Sequence, residues 1–523
     1  MRTNSIRSAW VGAAAALGLA VVAAGCGDDQ PAAGGIDARL SATTGQSTAP
    51  GATARNALRP IAPLSGSMSG SRQPAFHYAP ARDAVVDICD DRACAHVLAE
   101  LDGSQGQARS PAPLRAGVLF WRVVSNQAAS AVWQLTIPGR DTGGDIAWGV
   151  VPDFNGDGLA DIAIGSPAAA FPSVVVFNGS SNGPGFVPDE TLAGGTGFGQ
   201  AVASAGDVNG DGYVDLAVGS GGSPGSVTVF LGGPSGPASA GTELSSGDVT
   251  TGFGATIASA GDVNGDGYAD LVVGGVEHAQ VYFGGPRGIT RKAAFTLAGS
   301  TDDGATGDAS VVQGPADVDA DGAPDLYVGG LLYLSQAGGL VAQAGFAASG
   351  VGSFAGDFNG DGFADFVAGQ VSAGTPEGID RSKLLFIQAG ETALASAGDV
   401  NGDGYTDVIS SLSSVERFPY RQRVYFAAPG VCGATGCNGY VSVDIPGHDF
   451  MGGDLTAFLG GVGDVTGDGI DDLVSSTPDT GTASFIRSGS ASGSVAFSYP
   501  VWTFDIGFGT SFAALFGSVR PLF

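Results

Sequence analysis

Asp207-Val-Asn-Gly-Asp-Gly-Tyr-Val-Asp215 is the stretch that decides the fold, because its nine-residue pattern occurs seven times in the chain. Every copy carries oxygen-bearing side chains at positions 1, 3, 5 and 9 and a glycine at position 6. The copies begin at Asp153, Asp207, Asp262, Asp317, Asp357, Asp399 and Asp464. A single cluster of Asp, Asn and Gly is typical of a polar turn, but seven copies in fixed register predict a shared structural role.

The loop pattern predicts a site for a hard divalent cation, and Ca2+ in particular. Calcium takes about six to eight oxygen ligands, and alternate residues of a tight loop direct their side chains inward while glycine allows the turn. Without a cation, the crowded carboxylates would repel one another and raise their own pKa values. We therefore expect up to seven structural Ca2+ ions. The predicted ligands are Asp153, Asn155, Asp157 and Asp161; Asp207, Asn209, Asp211 and Asp215; Asp262, Asn264, Asp266 and Asp270; Asp317, Asp319, Asp321 and Asp325; Asp357, Asn359, Asp361 and Asp365; Asp399, Asn401, Asp403 and Asp407; and Asp464, Thr466, Asp468 and Asp472.

Two copies depart from the common pattern. The seventh has Thr466, a weaker ligand, at position 3, whereas the fourth has Asp319 there and is the most acidic. Unlike an EF-hand, the loop ends its acidic ligands at position 9 and is flanked by no amphipathic helix pattern. Short apolar runs such as Asp270-Leu-Val-Val-Gly-Gly275 follow each loop and predict buried strands.

Composition agrees with a mostly β chain. The 523 residues include 89 Gly, with 43% hydrophobic and only 14% charged residues, as expected for short strands joined by tight turns. The formal net charge is -29, and 22 of the 51 acidic residues stand at predicted ligand positions. A surface this acidic argues against a nucleic-acid partner, because phosphate binding needs a basic face.

The N-terminus has the pattern of an export signal followed by a tether. Residues 1–25 contain two arginines and then an apolar stretch too short to span a membrane. Ala23-Ala-Gly-Cys26 resembles the lipobox of bacterial lipoproteins, which implies acylation of Cys26 and a lipid anchor in the cell envelope. Ordinary cleavage and secretion is the alternative. Residues 26–72 are rich in Ala, Gly, Ser, Thr and Pro and predict a flexible tether.

Residues 73–140 predict a small β-sandwich. Apolar runs at 85–89, 96–101, 117–124 and 131–137 recur about every ten residues, which is typical of short strands. The segment resembles an immunoglobulin-like or fibronectin type III module. The remaining cysteines, Cys89 with Cys94 and Cys432 with Cys437, predict two short-range disulfides, since a zinc site would need them and the scattered histidines closer together.

From residue 141 to 523 the loops recur at intervals of 40 to 65 residues, a period typical of propeller blades. Several copies follow a Gly-Phe-Gly opening, as in Gly197–Gly199 and Gly252–Gly254, and precede a further strand such as Ser226–Gly232. This combination resembles the FG-GAP repeats of integrin α-subunits and of many bacterial surface proteins, which implies a seven-bladed β-propeller. The tail Gly507–Phe516 repeats the opening without the acids and predicts ring closure against the first blade, with a partial eighth blade as the alternative.

The sequence predicts a binding scaffold rather than an enzyme. Two matches to G-x-S-x-G, at 179–183 and 221–225, lie in glycine-rich turns and are interpreted as chance. The resemblance places long loops opposite the calcium loops, where they carry ligand contacts in the family. Two groups of basic and aromatic residues are assigned to such loops and suit an acidic protein or an anionic glycan, although solvated loop charges are the simpler interpretation. They are Arg381 and Lys383, then Arg417, Phe418, Tyr420, Arg421 and Arg423. The alternative function is an enzyme acting on polysaccharide or lipid.

Overall fold

The structure is a computed structural model of the chain. It describes residues 58–125, 128–139, 147–167, 171–185, 187–221, 224–246, 252–300, 306–307, 309, 311–336, 339–348, 352–368, 370–386, 391–412, 421–427, 432–433, 436–437, 442–445, 458–476, 484–487 and 511–513. All elements in the described residues are strands, which confirms the all-β fold class. The predicted signal segment, Cys26 and the predicted tether up to residue 57 lie outside the described residues.

The ten strands before the first loop form two sheets, which we call the N-terminal module. They are β1 (Arg59–Ala62), β2 (Ser67–Ser69), β3 (Ala75–Ala79), β4 (Ala84–Cys89), β5 (Val97–Gly103), β6 (Gln107–Arg109), β7 (Gly117–Ser125), β8 (Ala128–Ala129), β9 (Trp133–Ile137) and β10 (Ala147–Trp148). One sheet has the order β1-β3-β6, and the other has the order β10-β2-β9-β7-β4-β5 with β8 against β7. The four predicted strands correspond to β4, β5, β7 and β9.

Both sheets of the module contribute to one aromatic core. Phe76 from one sheet packs on Trp121 from the other, with ring centroids 4.9 Å apart, and Trp121 packs on Trp133 at 5.6 Å. This shared core is what two facing sheets require. The immunoglobulin-like or fibronectin-like topology stays a prediction.

Residues 58–72, predicted from their composition to be part of the tether, form strands instead. Strand β1 pairs with β3, and β2 lies parallel to β9, with Ser67 opposite Leu135. A serine-rich segment of this kind carries little local signal for a strand. Its order comes from pairing with a partner far along the chain, which composition does not report.

The repeats form seven sheets in the described residues, one for each loop copy. Their strands are β11 (Ile162–Ser166), β12 (Ser173–Phe177), β13 (Glu190–Ala193), β14 (Phe198–Gly206), β15 (Asp215–Ser220), β16 (Ser226–Phe230), β17 (Thr242–Leu244), β18 (Ile257–Gly261), β19 (Asp270–Val273), β20 (His278–Tyr282), β21 (Phe295–Ser300), β22 (Thr306–Gly307), β23 (Val312–Ala316), β24 (Asp325–Val328), β25 (Leu331–Gln336), β26 (Gly339–Ala342), β27 (Ser353–Gly356), β28 (Asp365–Val367), β29 (Val371–Ala373), β30 (Asp380–Phe386), β31 (Glu391–Gly398), β32 (Asp407–Leu412), β33 (Arg421–Tyr425), β34 (Cys432–Gly433), β35 (Gly436–Cys437), β36 (Ser442–Ile445), β37 (Phe458–Gly463), β38 (Asp472–Ser476), β39 (Ser484–Arg487) and β40 (Ser511–Ala513).

Each sheet is an antiparallel meander built around the strand that follows its loop. The sheet orders are β40-β11-β12-β13, β14-β15-β16-β17, β18-β19-β20-β21-β22, β23-β24-β25-β26, β27-β28-β29-β30, β31-β32-β33-β36 and β37-β38-β39, with β34-β35 as a separate two-stranded ladder. Strands β19, β24 and β28 are buried along their whole length, as their short apolar runs predicted. This organisation fits a β-propeller.

The C-terminal strand completes the first sheet. In the second sheet the chain enters through β14, before the loop, but in the first sheet that place belongs to β40, with Phe512 opposite Ile164. Strand β10, which precedes the first loop in sequence, joins the N-terminal module instead, where Trp148 pairs with Met68. The pairing predicted for the tail is therefore present, whereas the number of blades stays a prediction.

The first and last loops are neighbours. Ala160, at position 8 of the first copy, donates its N–H to the carbonyl of Asp464 at 3.0 Å. The same bond joins the third copy to the second, where Ala269 donates to the carbonyl of Asp207, also at 3.0 Å. The first copy thus contacts the seventh as the third contacts the second.

Candidate metal centre in the repeated loops

The first aspartate of each loop holds the loop backbone. In the second copy, Asp207 Oδ1 accepts the N–H groups of Gly210 and Asp211, and Oδ2 accepts that of Gly212 at 2.7 Å. The bond from position 1 to the glycine at position 6 is present in all seven copies, at 2.6 to 3.0 Å. The turn is therefore wrapped around a carboxylate, as a cation loop requires.

The ninth aspartate ties the loop to the sheet behind it. Asp215 Oδ2 accepts the N–H of Val208 at 2.8 Å, and Oδ1 accepts that of Gly232 in the next hairpin at 2.7 Å. The first of these bonds recurs in all seven copies at 2.8 to 3.1 Å. All seven ninth aspartates are buried. Burying a carboxylate is costly, and these hydrogen bonds recover part of that cost.

Positions 3 and 5 complete the oxygen set at the outer side of the loop. Asn209 is half-buried and Asp211 is exposed, and Asn209 Nδ2 donates to Asp211 Oδ2 at 2.8 Å. The loop thus has buried carboxylates at its base and accessible oxygens at its mouth. A cation can enter from solvent on that side.

Two left-handed residues shape each loop, and the sequence pattern identified only one of them. The glycines at position 6 have φ between 82° and 96°, as expected. Position 4 is also left-handed in every copy, with φ between 56° and 76°, and it is glycine in all copies except the fourth, which has Ala320. The recurrence of glycine at position 4 in the sequence already indicated that this position needs a left-handed backbone.

Burial and mutual repulsion raise the pKa values of the aspartates. Burial first, and the neighbouring Asp211 second, raise the pKa of Asp207 to about 7. The same causes act on Asp153, whose pKa rises to about 6, while burial, followed by the first aspartate, raises the pKa of Asp215 and of Asp270 well above its ordinary value. The predicted upward shift is therefore present.

The donor set fits a hard divalent cation. In the fourth copy, one carboxylate oxygen from each of Asp317, Asp319 and Asp325 lies within 4.8 Å of the others. Carboxylate, amide and main-chain oxygens are the ligands preferred by Ca2+ and Mg2+. In the seventh copy the N–H of Thr466 donates to Asp472 at 3.1 Å, so the loop geometry persists with the weaker ligand. The repeated loops are thus compatible with cation binding in all seven copies.

The N-terminal module lies against the first three loops, a contact that no sequence motif predicted. Arg92, from the turn between Cys89 and Cys94, donates to the carbonyls of Gly156 at 2.6 Å and Gly212 at 2.9 Å. Arg59 lies over the ring of Tyr268 in the third loop, 5.1 Å from its centroid. These residues are separated by more than sixty positions in sequence, so neither spacing nor composition brings them together.

The predicted basic and aromatic residues are placed differently from their assignment to loops. Arg381 and Lys383 lie in strand β30, and Arg421 and Arg423 lie in strand β33. Asp380-Arg-Ser-Lys-Leu-Leu-Phe386 does not alternate polar and apolar residues, so its sequence carries no period-two signal for a strand. Arg417, Phe418 and Tyr420 fall outside the described residues.

The two basic groups also lie at opposite ends of their sheets. Strand β30 begins beside Ala373, next to the glycine that donates to Asp365 of the cation loop. Strand β33 begins at Arg421 opposite Leu412, the end of β32 farthest from its loop. Arg381 donates to the carbonyl of Ala347 and lies 6.0 Å from the ring centroid of Phe346. The two basic groups therefore lie at different distances from the cation loops of their sheets.

The first predicted disulfide is confirmed. Cys89 and Cys94 are bonded and buried, with Cα atoms 5.2 Å apart. Cys432 stands opposite Cys437 in the β34–β35 ladder. The disulfide between that second pair stays a prediction.

Residues 153–218 and 207–273 match the FG-GAP-like repeat family. Integrin alpha-PS2 of Drosophila melanogaster is 30% identical over 221 residues, which is 36% of this chain and 15% of that protein. Integrin alpha-V of Gallus gallus is 32% identical over 205 residues, which is 34% of this chain and 19% of that protein. This chain therefore spans less than a fifth of the length of either integrin subunit.

A Tc holotoxin pore of Photorhabdus luminescens aligns with 75% of this chain and 18% of its own, at 14% identity and a TM-score of 0.28, a likeness that supports no inference. In the part of the chain that the structure describes, no helix has the length and hydrophobicity of a membrane span. The loop spacing, the recurring sheets and the repeat and integrin matches together support an FG-GAP repeat protein, with FG-GAP-like repeats matched over residues 153–273.

Proposed function

We propose that this chain is a non-enzymatic scaffold of the cell envelope, whose calcium-stabilised, seven-bladed β-propeller binds a protein or glycan ligand. The observation that carries the proposal is the shared construction of the loops. Seven loops bury their ninth aspartate and wrap a turn around their first, in a chain whose repeats resemble those of integrin α-subunits.

The role of the cation in this proposal is structural. Ca2+, when bound, supplies the positive charge that offsets repulsion among the loop carboxylates. The chain's own residues supply the geometry, since the first aspartate orients the turn and the ninth anchors it to the neighbouring hairpin. Extracellular calcium modules bind at roughly 10⁻⁴ to 10⁻³ M, so a scaffold of this kind suits a calcium-rich exterior.

Placement at a bacterial envelope rests on the N-terminal sequence. The lipobox-like segment at Cys26 supports a lipid anchor, and residues 27–57 support a spacer between that anchor and the folded part. A soluble secreted form is the alternative. An enzyme acting on polysaccharide or lipid remains the second candidate function, favoured only by the basic residues of β30 and β33.

Calorimetric titration of the full chain with Ca2+ tests the loop assignment. We expect a stoichiometry approaching seven, and the loss of one site in the variant Asp211→Asn, because position 5 provides a carboxylate at the loop mouth. Glu243→Gln is the matched control, since it removes an exposed acid outside any loop and should keep every site. Absence of calcium binding would contradict the proposal.

A glycan and protein array probed with the calcium-loaded chain tests the scaffold role. We expect specific retention of one ligand class, weakened in an Arg423→Gln variant if β33 contributes to the site. Turnover of a polysaccharide or lipid by the purified chain would instead support the enzyme alternative.

A further inference from the structure

The turn between Cys89 and Cys94 presents Arg92 from a rigid hairpin. The disulfide closes the turn, and Cys94 donates its N–H to the carbonyl of Asp91 at 2.9 Å. The Asp91 carboxylate accepts the N–H groups of Ala95 and His96 at 3.1 and 2.8 Å. Arg92 is therefore held in place by its own turn before it meets another part of the chain.

Arg92 joins two adjacent cation loops. Its Nε donates to the carbonyl of Gly156, at position 4 of the first loop, and its Nη2 donates to the carbonyl of Gly212, at position 6 of the second. The guanidinium also lies 4.2 Å from the ring centroid of Tyr213. Hydrogen bonds from a charged donor and a short cation–π contact are among the stronger polar interactions in proteins.

The same two glycines are also held by the loop aspartates, through their N–H groups. Gly156 donates its N–H to Asp153 at 2.6 Å, and Gly212 donates its N–H to Asp207 at 2.7 Å. The module thus fixes the carbonyl, and the loop carboxylate fixes the N–H, of the same two residues. A change in the loop must move the groups that Arg92 binds, and the reverse also holds.

Further contacts extend this interface over the second loop. The hydroxyl of Ser65 donates to the carbonyl of Gly212 at 2.8 Å, and Trp133 Nε1 donates to that of Gly210 at 3.4 Å. A Cβ added at Gly212 would lie 2.1 Å from the carbonyl oxygen of Val132, and one added at Gly156 would lie 2.4 Å from Arg92 Nε. These glycines therefore serve close approach as well as the turn.

The fourth and seventh loops lack this cover at position 6, whereas the module also approaches Gly267 in the third loop. A Cβ added at Gly322 in the fourth loop, or at Gly469 in the seventh, would meet nothing within 4 Å. The sequence adds a difference of charge, because residues 141–286, which contain the first three loops, have no Lys or Arg. The positive groups beside these loops come from the module.

We propose that the N-terminal module is an intramolecular clamp that keeps the first two loops folded without a divalent cation, with Arg92 as its central contact. The first two loops then form a clamped pair, and open loops outside the reach of the module, such as the fourth and the seventh, depend on the cation. The clamp rests on the proposed function, because it takes Ca2+ as the ion that orders the open loops. Arg92 is a positioning residue here, since it touches loop backbone and not the cation site itself.

Hydrogen–deuterium exchange of the full chain, in Ca2+ and in a chelator, tests the clamp. In the wild type under chelation we expect Gly158 and Gly212 to stay protected, and Gly404 and Gly469 to lose protection. In Arg92→Gln, protection of the first two loops in chelator should fall by about tenfold, the effect of losing one hydrogen bond from a charged donor. Arg115→Gln removes an exposed arginine of the same module and should match the wild type.

A second pair of variants covers the case in which Arg92→Gln disturbs the module itself. Gly212→Ala and Gly469→Ala carry a similar backbone penalty, since φ is 96° and 84° respectively. Only Gly212→Ala also collides with the module, so only it should increase exchange in strand β9. Equal effects of the two variants would overturn the clamp.

The outcomes separate the clamp from the function on which it rests. If the open loops respond to Ca2+ but Arg92→Gln behaves as the wild type in the first two loops, the clamp is wrong and the proposed function stands. If chelation opens all seven wild-type loops equally, the clamp is also wrong. If Ca2+ alters exchange in no loop, the proposed function fails, and the two classes of loop fail with it.

Discussion

The N-terminal module and the repeats are stabilised by different kinds of interaction. The module has large aromatic side chains at its centre, and truncating a buried Trp or Phe typically costs about 3 to 5 kcal/mol. The core between the second and third sheets combines small side chains, including Ala201, Ala203 and Ala217, with larger ones such as Phe253 and Tyr282. Each buried methyl group contributes only about 0.8 kcal/mol.

The carboxylates sharpen the contrast. The repeats bury an aspartate in every loop, and burial raises its pKa. The module's buried acid, Asp87, is instead paired with Arg122 at 2.9 Å. The module therefore compensates its charge internally. Under the proposed function, the repeats instead rely on a bound cation to offset the charge of their loop carboxylates.

Removal of Ca2+ by a chelator should have the largest effect, and it should affect the repeats much more than the module. At a tenfold excess of Ca2+ over Kd each site adds about 1.4 kcal/mol, so seven sites together approach about 10 kcal/mol. We expect EGTA to lower the melting temperature of the repeats by more than about 10 °C and to leave melting of the module's own core nearly unchanged. Calorimetry, with near-ultraviolet circular dichroism reporting on Trp121 and Trp133, separates the two transitions.

Restoring Ca2+, but not adding more NaCl, should reverse the effect. NaCl at matched ionic strength is the control for simple screening of the acidic surface. If EGTA left the melting temperature of the repeats unchanged, the proposed difference between the module and the repeats would be wrong.

The sequence predicted the features that recur in every copy of the loop, but it did not predict contacts between segments that lie far apart in the chain. The repeated loops, the buried strand after each loop and the tail pairing of β40 could be predicted, because seven copies in register turn weak local signals into a pattern. Arg92 and Arg59 could not be assigned to the loops, because each contact is a single event between distant segments. Strand β2 was hidden for the same reason, since its partner β9 lies more than sixty residues away.

The basic residues show a different limit. Arg381 and Arg423 were predicted as ligand-binding residues because of their charge. Their positions in the fold, however, are set by strand pairing in two different sheets. Neither strand alternates polar and apolar residues, and only the register of strand pairing gives the distance of these residues from the cation loops. Composition is therefore a poor guide to whether charged residues share a face.

The pH dependence in chelator should have opposite signs in the two parts. Burial raises the pKa of Asp262 to about 6 and that of Asp317 to about 7 in the folded loops. In the unfolded chain an aspartate loses its proton above about pH 4, so between these values only the folded state keeps the proton. Stability of the repeats therefore falls as pH rises from about 4 to about 7. In the module, N–H groups of Ala95 and His96 lower the pKa of Asp91, so its contribution is present at neutral pH and lost in acid.

Thermal melts in EGTA between pH 4.5 and 7.5 measure this difference. We expect the repeat transition to move down, by several degrees, as the pH is raised. With saturating Ca2+ the slope should flatten or reverse, because protons and Ca2+ compete for the same carboxylates. A repeat transition that rises with pH in chelator would show that the aspartates are not protonated in the folded loops.

The smallest expected change in stability concerns the fourth loop, which is the one copy without glycine at the left-handed position 4. Ala320 occupies position 4 of the fourth copy with φ 56°, where six copies have glycine. A left-handed residue with a Cβ costs about 1 to 2 kcal/mol, part of which is offset because alanine restricts the unfolded chain. We expect Ala320→Gly to raise the free energy of unfolding of the repeats by up to about 1 kcal/mol in urea melts with Ca2+ present.

Ala323, three residues further in the same loop, is the matched control. Its φ lies outside the left-handed region, so Ala323→Gly adds freedom to the unfolded chain without relieving strain. That variant should lose about 0.4 to 1 kcal/mol. The opposite signs of two identical substitutions in one loop would show that the backbone shape, rather than the side chain, is what the seven copies share. If both variants destabilise equally, the left-handed turn at position 4 is not a constraint on the fourth loop.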